Sequence, residues 1–205
     1  SHVKISSKSQ TKKIITNFRG IIIMDFCHLH LHSEYSLLDG ACKITRLIKK
    51  IKDLNMNSVA ITDHGVMYGV PFFYKECKKE GIKPIIGCEV YVAPKSRFDK
   101  VRMQDNYYHL VLLAKNNIGY KNLMKLVSLS KYSEGLICLS ACLGGEIQSL
   151  LVNGNYENAE KKAIKYKNIF EDFYIELQNH NIDDQKRILP LQLKIARENN
   201  IPLVA

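Results

Sequence analysis

Three histidines stand at alternate positions in "FCHLHLHSEYSLLDG", residues 26 to 40, and a glutamate and an aspartate follow them. On an extended chain, side chains two apart project the same way. His28, His30 and His32 should therefore share one face while Leu29 and Leu31 fill the other. Imidazole nitrogens presented together suit a divalent metal. Taken alone, an HxHxH run favours metal, with a hydrogen-bonded histidine row on a half-exposed strand as the alternative.

Other segments shift that balance. "ITDHG" ends an apolar run with Asp63 and His64, "IIGCE" with Glu89, "LSAC" with Cys142, and "ELQNH" with Glu176 and His180. In parallel α/β architectures the C-terminal edge of the strands is where functional sites assemble. One polar residue there is ordinary, but several metal-competent ones on one edge predict a shared metal centre. Histidine, carboxylate and thiolate donors favour zinc, manganese or iron over magnesium or calcium, which prefer all-oxygen shells. So many donors predict two or three metals. Clustered metals serve phosphate-ester hydrolysis, because they generate hydroxide at neutral pH and hold attacking and leaving oxygens. His64 or His180 could instead stand behind the ligands and orient them.

Short β-rich runs position these groups: "FCHLHLH", "SVAITDH", "PIIGCEVYVA", "HLVLLAK", "LICLSA", "FYIELQ" and "IPLVA". Amphipathic stretches of helical length follow most of them. "ITRLIKKIKDLN" places Ile44, Leu47, Ile48, Ile51 and Leu54 on one face. "VPFFYKECKKEG" starts with Pro71 in its first turn and stops at Gly81. "NNIGYKNLMKLVSLS", "GGEIQSLLVNG", "NYENAEKKAIKYKNIF" and "DDQKRILPLQLKIARENN" supply four more helices, the last with a kink expected at Pro190. Strands alternating with helices predict an α/β domain of parallel βα units with barrel-like closure. One connection, "PKSRFDKVRMQDNYY", has no apolar face and reads as a loop. If the strands it joins run antiparallel, His109 returns close to Glu89.

The chain has 205 residues and 46% hydrophobic content, enough for one domain with a real core. Thirty Lys and Arg against 20 Asp and Glu give a net charge of +10. That excess favours a polyanionic partner such as DNA, with a lysine-rich solubilising surface as the alternative. Residues 1–23 are polar and basic and lack periodicity. They read as a leader, upstream or artificially appended, with Met24 as a natural start; a flexible basic arm is the rival reading. The six cysteines form no CxxC pair, and no apolar run approaches membrane-spanning length. A reducing cytoplasm and no membrane contact are expected. Cys27, Cys42, Cys77, Cys88 and Cys138 read as buried thiols. Tyr35, Tyr68, Phe72, Phe73, Tyr107 and Tyr108 read mainly as core or lip packing, with base stacking as the alternative. Gly144 and Gly145 read as a strand-to-helix turn, with phosphate binding as the alternative.

"HLHLHSEYSLLDG", "ITDHGVMYGV", "GIKPIIGCEVYVAP", "HLVLLAKNNIGYKNLMKLVS", "GLICLSACLGGEI" and "FYIELQNH" resemble, in order and phrasing, the polymerase and histidinol phosphatase (PHP) domain. They are most similar to its polymerase branch, the domain that opens the alpha subunit of bacterial DNA polymerase III. The likeness runs from Met24 to Ala205. It implies a distorted (βα)7 barrel, here truncated at or just after the seventh strand, with metals at the C-terminal strand ends. It also implies that His30, His32, Asp39, His64, Glu89, His109, Cys142 and His180 occupy metal-ligand positions. His28, Asp63 and Glu176 are then outer partners, His28 falling where relatives often carry aspartate.

The same resemblance implies a region of a replicative DNA polymerase with metal-dependent 3′–5′ exonuclease activity. Its partners would be DNA, the rest of the polymerase chain and a proofreading exonuclease subunit. A stand-alone phosphoesterase of the histidinol-phosphatase type and a non-catalytic metal-stabilised scaffold are the alternatives. No paired DxD carboxylates of the polymerase kind are present. Two departures from the family pattern matter. The Asp-x-His motif expected soon after the last strand is not reached at "IPLVA". A Tyr-rich segment expected before "KYSEGLI" is missing, so that Ser130 meets Lys131 directly.

Overall fold

The computed structural model describes residues 26–37, 39–93, 107–126 and 133–205. Residues 1–25, including the stretch expected to be a basic leader, most of the "PKSRFDKVRMQDNYY" connection and the Ser130–Lys131 junction lie outside the described residues.

Isoleucine and leucine at helical spacing form α1 (Ile44–Asp53), which buries Ile44, Ile48 and Ile51. Leu54, expected on the same face, falls at the helix end and is about half exposed. β1 (Ser58–Ile61) follows, then α2 (Val70–Lys79), which has Pro71 in its first turn and Lys78 and Lys79 in its last. That distribution suits both the missing proline N–H and the helix dipole. Gly81 ends the connection at φ +73°, where a Cβ would meet no neighbour, so the requirement there is conformational. β2 (Lys83–Val92), β3 (Tyr108–Ala114), α3 (Asn117–Leu126), β4 (Leu136–Leu139), α4 (Glu146–Val152), α5 (Tyr156–Ile169), β5 (Asp172–Glu176), α6 (Asp183–Glu198) and β6 (Leu203–Val204) complete the order. Asn155 caps α5 by accepting from the Asn158 N–H at 3.3 Å. α6 runs through Pro190 unbroken.

The strands lie side by side in chain order, β1 to β6. All pairs are parallel except β2–β3 and β3–β4, so β3 alone is reversed among the described strands. The sheet curls strongly. β2 and β5 are three steps apart, about 14 Å in a flat sheet, yet the two nitrogens of one imidazole, His30, reach a glutamate on each.

Curling sorts alternate residues into two environments. Ala60, Val111, Leu113 and Leu139 pack inside, with Ile85, Ile137, Tyr174 and Val204 at their margin. Val59, Ile61, Phe73, Cys77 and the buried face of α1 form one outer layer. Leu112, Leu136, Cys138, Phe173 and Ile175 form another beneath α4, α5 and α6. The result is a mixed α/β half-barrel.

The structure revises three expectations. The "FCHLHLH" run is extended but is not a strand: six strands, not seven, form the sheet among the described residues. Its backbone meets β1 and the residue after it through isolated bonds, Ala60 N–H to His28 O at 2.8 Å and Thr62 N–H to Leu31 O at 2.8 Å. Without regular pleating, strict alternation fails. Leu29 packs against the inner cluster and Leu31 against the outer layer under α1. Of the thiols expected to be buried, Cys77, Cys88 and Cys138 are; Cys42 is exposed and Cys27 half-buried, because both lie in non-helical, non-strand segments at the surface. Of the aromatics, only Phe73 is wholly buried, whereas Tyr68 is 77% exposed.

Phe73 is a sensitive point of the outer layer, with no exposed surface. Phe73→Ala should cost about 3–5 kcal/mol. In a urea titration the midpoint should fall by that free energy divided by the slope, and the slope should stay constant.

Candidate metal centre

Thr62 and Asp63, immediately after β1, hold the histidine segment in place. Leu31 N–H donates to Thr62 Oγ1 at 2.8 Å. Asp63 is buried and spends both carboxylate oxygens on Ser33, accepting from its N–H at 2.6 Å and its hydroxyl at 2.8 Å. Asp63 therefore anchors the turn after the histidines. That turn returns Asp39, whose Oδ1 accepts from Ser36 Oγ at 2.9 Å. Ser36 Oγ also accepts the His64 N–H at 3.2 Å, so one serine fixes two of the site's side chains.

Glu89 is the centre of the cluster. It continues the inward-facing series Ile85, Gly87, Glu89 on β2 and has no exposed surface. Its Oε2 lies 2.8 Å from His30 Nε2, 2.6 Å from His32 Nε2 and 3.6 Å from His64 Nε2. Its Oε1 lies 2.7 Å from His109 Nδ1, but without hydrogen-bond alignment. The reversal of β3 explains the last contact: His109 stands at the start of that strand, opposite Tyr91 and one pleat from Glu89. Asp39 Oδ2 draws in His32 Nδ1 at 2.7 Å and His64 Nε2 at 3.1 Å. Three overlapping groups emerge, each within reach of one ion: His30, His32 and Glu89; His32, Asp39 and His64; His64, Glu89 and His109.

The remaining predicted residues surround this cluster. Cys142 Sγ lies 3.7 Å from His109 Nδ1 and accepts the Gly144 N–H. Its neighbour Ala141 holds φ +64°, a left-handed conformation uncommon for a residue with a Cβ, at the turn that presents the thiol. Glu176 accepts from His30 Nδ1 at 2.8 Å, leaving His30 Nε2 directed at the cluster. His180 lines the same cavity of about 490 Å³, but its N–H and Nδ1 both engage Gln185. His28 packs edge-on against Phe26 at 4.8 Å, on the wall of a neighbouring cavity of about 480 Å³. Its divergence from His30 and His32 follows from the irregular backbone described above. Gly144 and Gly145 do form the turn into α4.

Residue types and spacing did not point to Gln178, whose amide donates to Glu176 Oε1 at 2.7 Å, nor to Ser36 or Tyr91. Gln178 and Tyr91 each lie two positions along the chain from a predicted site residue, Glu176 and Glu89, and that spacing was the available signal.

The donor set fits metal. Glu89 Oε1, Glu176 Oε2 and His64 Nδ1 are buried without a hydrogen-bond partner, a costly state for polar atoms. The cluster mixes imidazole nitrogens with carboxylate oxygens, a set suited to zinc, manganese or iron. In the metal-free chain protons must do the balancing. Burial alone would lift the Glu89 pKa, but His109, His30 and His32 hold it well below the usual carboxylate range. Burial opposes charge on His30, yet hydrogen bonds to Glu176 and Glu89 push its pKa up to about 10. Contact with Cys142 and Glu89 raises His109 to about 9. His32 is raised by Glu89 and Asp39 against the opposing effect of burial.

A curled α/β sheet with a histidine–carboxylate cluster at one rim defines an α/β domain whose rim donors could hold a metal. The chain belongs to the PHP domain family, whose model matches residues 28–180. Its relatives include the DNA polymerase III subunit alpha of Borreliella burgdorferi, 48% identical over 202 residues, and that of Treponema pallidum, 46% identical over 202. Helicobacter pylori supplies another, 42% identical over 208. Each match takes in 88% of this chain and 17% of the relative, so the chain spans about a sixth of the length of the curated relatives it matches. A solved two-domain Bacteroides vulgatus protein, described as containing a predicted PHP-like metal-dependent phosphoesterase, aligns at a TM-score of 0.48 and 14% identity. That alignment covers 86% of this chain and 49% of the other. No described helix is long and apolar enough to cross a membrane.

The stability of the metal-free chain should depend on pH in two directions. Histidines whose pKa rises on folding contribute fully below their ordinary 6.5, and that contribution fades as pH climbs through about 9 and 10. Glu89, depressed on folding, contributes above its ordinary 4.5 and loses that contribution as pH falls. In EDTA the melting temperature should therefore peak between roughly pH 5 and 6.5 and decline on both sides. Metal ions compete with these protons, so saturating zinc or manganese should flatten the alkaline decline. Scanning calorimetry across pH with and without metal reads both effects.

Proposed function

We propose that the cluster centred on Glu89 binds two or three divalent metals, zinc, manganese or iron, and hydrolyses phosphoesters. We further propose that the chain is the PHP region of a DNA polymerase III alpha subunit, where this activity is a 3′–5′ exonuclease on DNA. The carrying observation is the placement of one buried carboxylate within 3.6 Å of four imidazoles, with a second carboxylate, Asp39, bridging two of them. Metals there would supply hydroxide at neutral pH and neutralise the charge on a phosphate.

The chain's own residues do the rest. Glu89 and Asp39 set the spacing of the imidazoles by each touching more than one. Glu176 fixes the His30 tautomer, and Gln178 fixes Glu176. Cys142 and His180, on the same cavity wall, are further donors, and His180 must release Gln185 to serve as one. Identities of 42–48% to alpha subunits support the polymerase assignment over a stand-alone histidinol-phosphatase-type enzyme. In the polymerase setting, the remainder of the chain and a proofreading subunit are its partners, and the setting is cytoplasmic.

Metal analysis of the purified chain should find at least two transition-metal equivalents, and manganese or zinc should support cleavage of a 3′-labelled single-stranded DNA. Glu89→Gln should abolish cleavage and lower metal content. Glu176→Gln, which leaves the donors intact but puts a neutral amide in place of the charged acceptor behind His30, should cost about 10–100-fold in metal affinity. A wild-type chain that retains no transition metal after equilibrium dialysis against each of the three ions would overturn the proposal. Metal retained without turnover on DNA, p-nitrophenyl phosphate or histidinol phosphate would reduce the domain to a metal-stabilised scaffold.

A further inference from the structure

Beyond the ligand cluster, the inward-facing series of β2 and β3 continue in aromatic residues. Glu89 is followed two positions on by Tyr91, and His109 is preceded two positions back by Tyr107. Each tyrosine lies nearly parallel to an imidazole of the cluster. Tyr91 stacks on His64 at 5.6 Å with 4° between planes, and Tyr107 on His109 at 6.0 Å with 7°. The two phenol rings meet edge to face at 4.6 Å and 67°. They nevertheless remain 44% and 48% exposed, so the imidazole contacts leave much of each ring bare.

We propose that Tyr91 and Tyr107 form a stacking wall for the terminal nucleobase of a single-stranded nucleic acid whose phosphate occupies the histidine–carboxylate cluster. The inference rests on the phosphoesterase reading for the position of the phosphate, and adds what holds the rest of the substrate. Flat, exposed rings beside a phosphate-binding cluster match a nucleotide, which carries a flat base next to its phosphate. Stacking of this kind is indifferent to sequence, because every base has a π-face. A net charge of +10 favours the polyanion. A phosphomonoester without an aromatic group would leave the wall unused. Tyr91 and Tyr107 are thus substrate-positioning and specificity-determining residues, remote from the bond that breaks.

The test reads binding, so its outcome is separable from whether the site hydrolyses anything. An oligothymidylate carrying 5-iodouracil at its 3′ end, with a phosphorothioate as its last linkage, is bound to the full chain in manganese and irradiated. Peptide mass spectrometry should map the cross-link to Tyr91 or Tyr107. Removing the 3′-terminal base to leave an abasic sugar should weaken binding by about 5- to 150-fold. Tyr107→Leu should erase that difference, the two strands then binding alike. Should the variant not fold, the wild-type cross-link map and the abasic comparison decide the matter alone. Cross-links confined to other residues, no cross-link, or equal affinity for base-bearing and abasic ends would overturn the proposal. If the wall is confirmed while no turnover is found, the hydrolase reading fails and the nucleotide site stands.

Discussion

A carboxylate with no access to water, Glu89, organises this molecule. Burying an unpaired charge costs several kcal/mol, and a sheet interior lined by Ile85, Val111 and Leu139 offers nothing in return. The compensation comes from His30, His32, His64 and His109, drawn from an extended segment, the end of β1 and the start of β3. These groups meet only if the sheet curls. Curvature, the reversal of β3 and the docking of residues 26–32 beside β1 are therefore coupled to one electrostatic requirement. Protons on the imidazoles satisfy it in the metal-free chain, and the donor set is equally suited to divalent cations.

The surrounding residues reduce the freedom of those that meet. Asp63 and Ser33 lock the turn that follows the histidines, and Ser36 holds Asp39 and the His64 backbone together. Glu176 and Gln178 determine which His30 nitrogen faces the cluster. Ala141 holds a left-handed backbone where Cys142 is presented. Orientation by partners of this kind governs how tightly a metal is held as much as the donors themselves. It also explains why the cluster draws on residues from His30 to Cys142, with Glu176 behind them, and not on one contiguous motif.

Membership of the PHP domain family and the geometry of the rim bear on different levels of function. Family membership comes from a match spanning residues 28–180. What the rim can do comes from distances: overlapping donor groups, then two bare tyrosines one pleat further out. On the reading proposed above, metals held by the inner donors would meet a phosphate and the outer rings a flat base.

Much of this was legible in the residues alone. Helix periodicity in "ITRLIKKIKDLN", Pro71 and Gly81 as start and stop signals, and apolar runs ending in Asp63, His64, Glu89 and Cys142 reflect local chemistry, which spacing records directly. The proximity of His109 to Glu89 follows from an antiparallel pairing of the two strands that carry them. Packing decided the rest. Whether "HLHLH" pleats depends on neighbours that offer only isolated bonds, so Leu29 and Leu31 part company and His28 leaves its companions. Tyr91 stacks on His64 across segments distant in the chain, whereas His180 turns to Gln185 and Tyr107 to His109 within their own segments. Local sequence sets which residues can share a face. Where those faces meet is a property of the curled sheet, because curvature arises from the summed packing of all its strands.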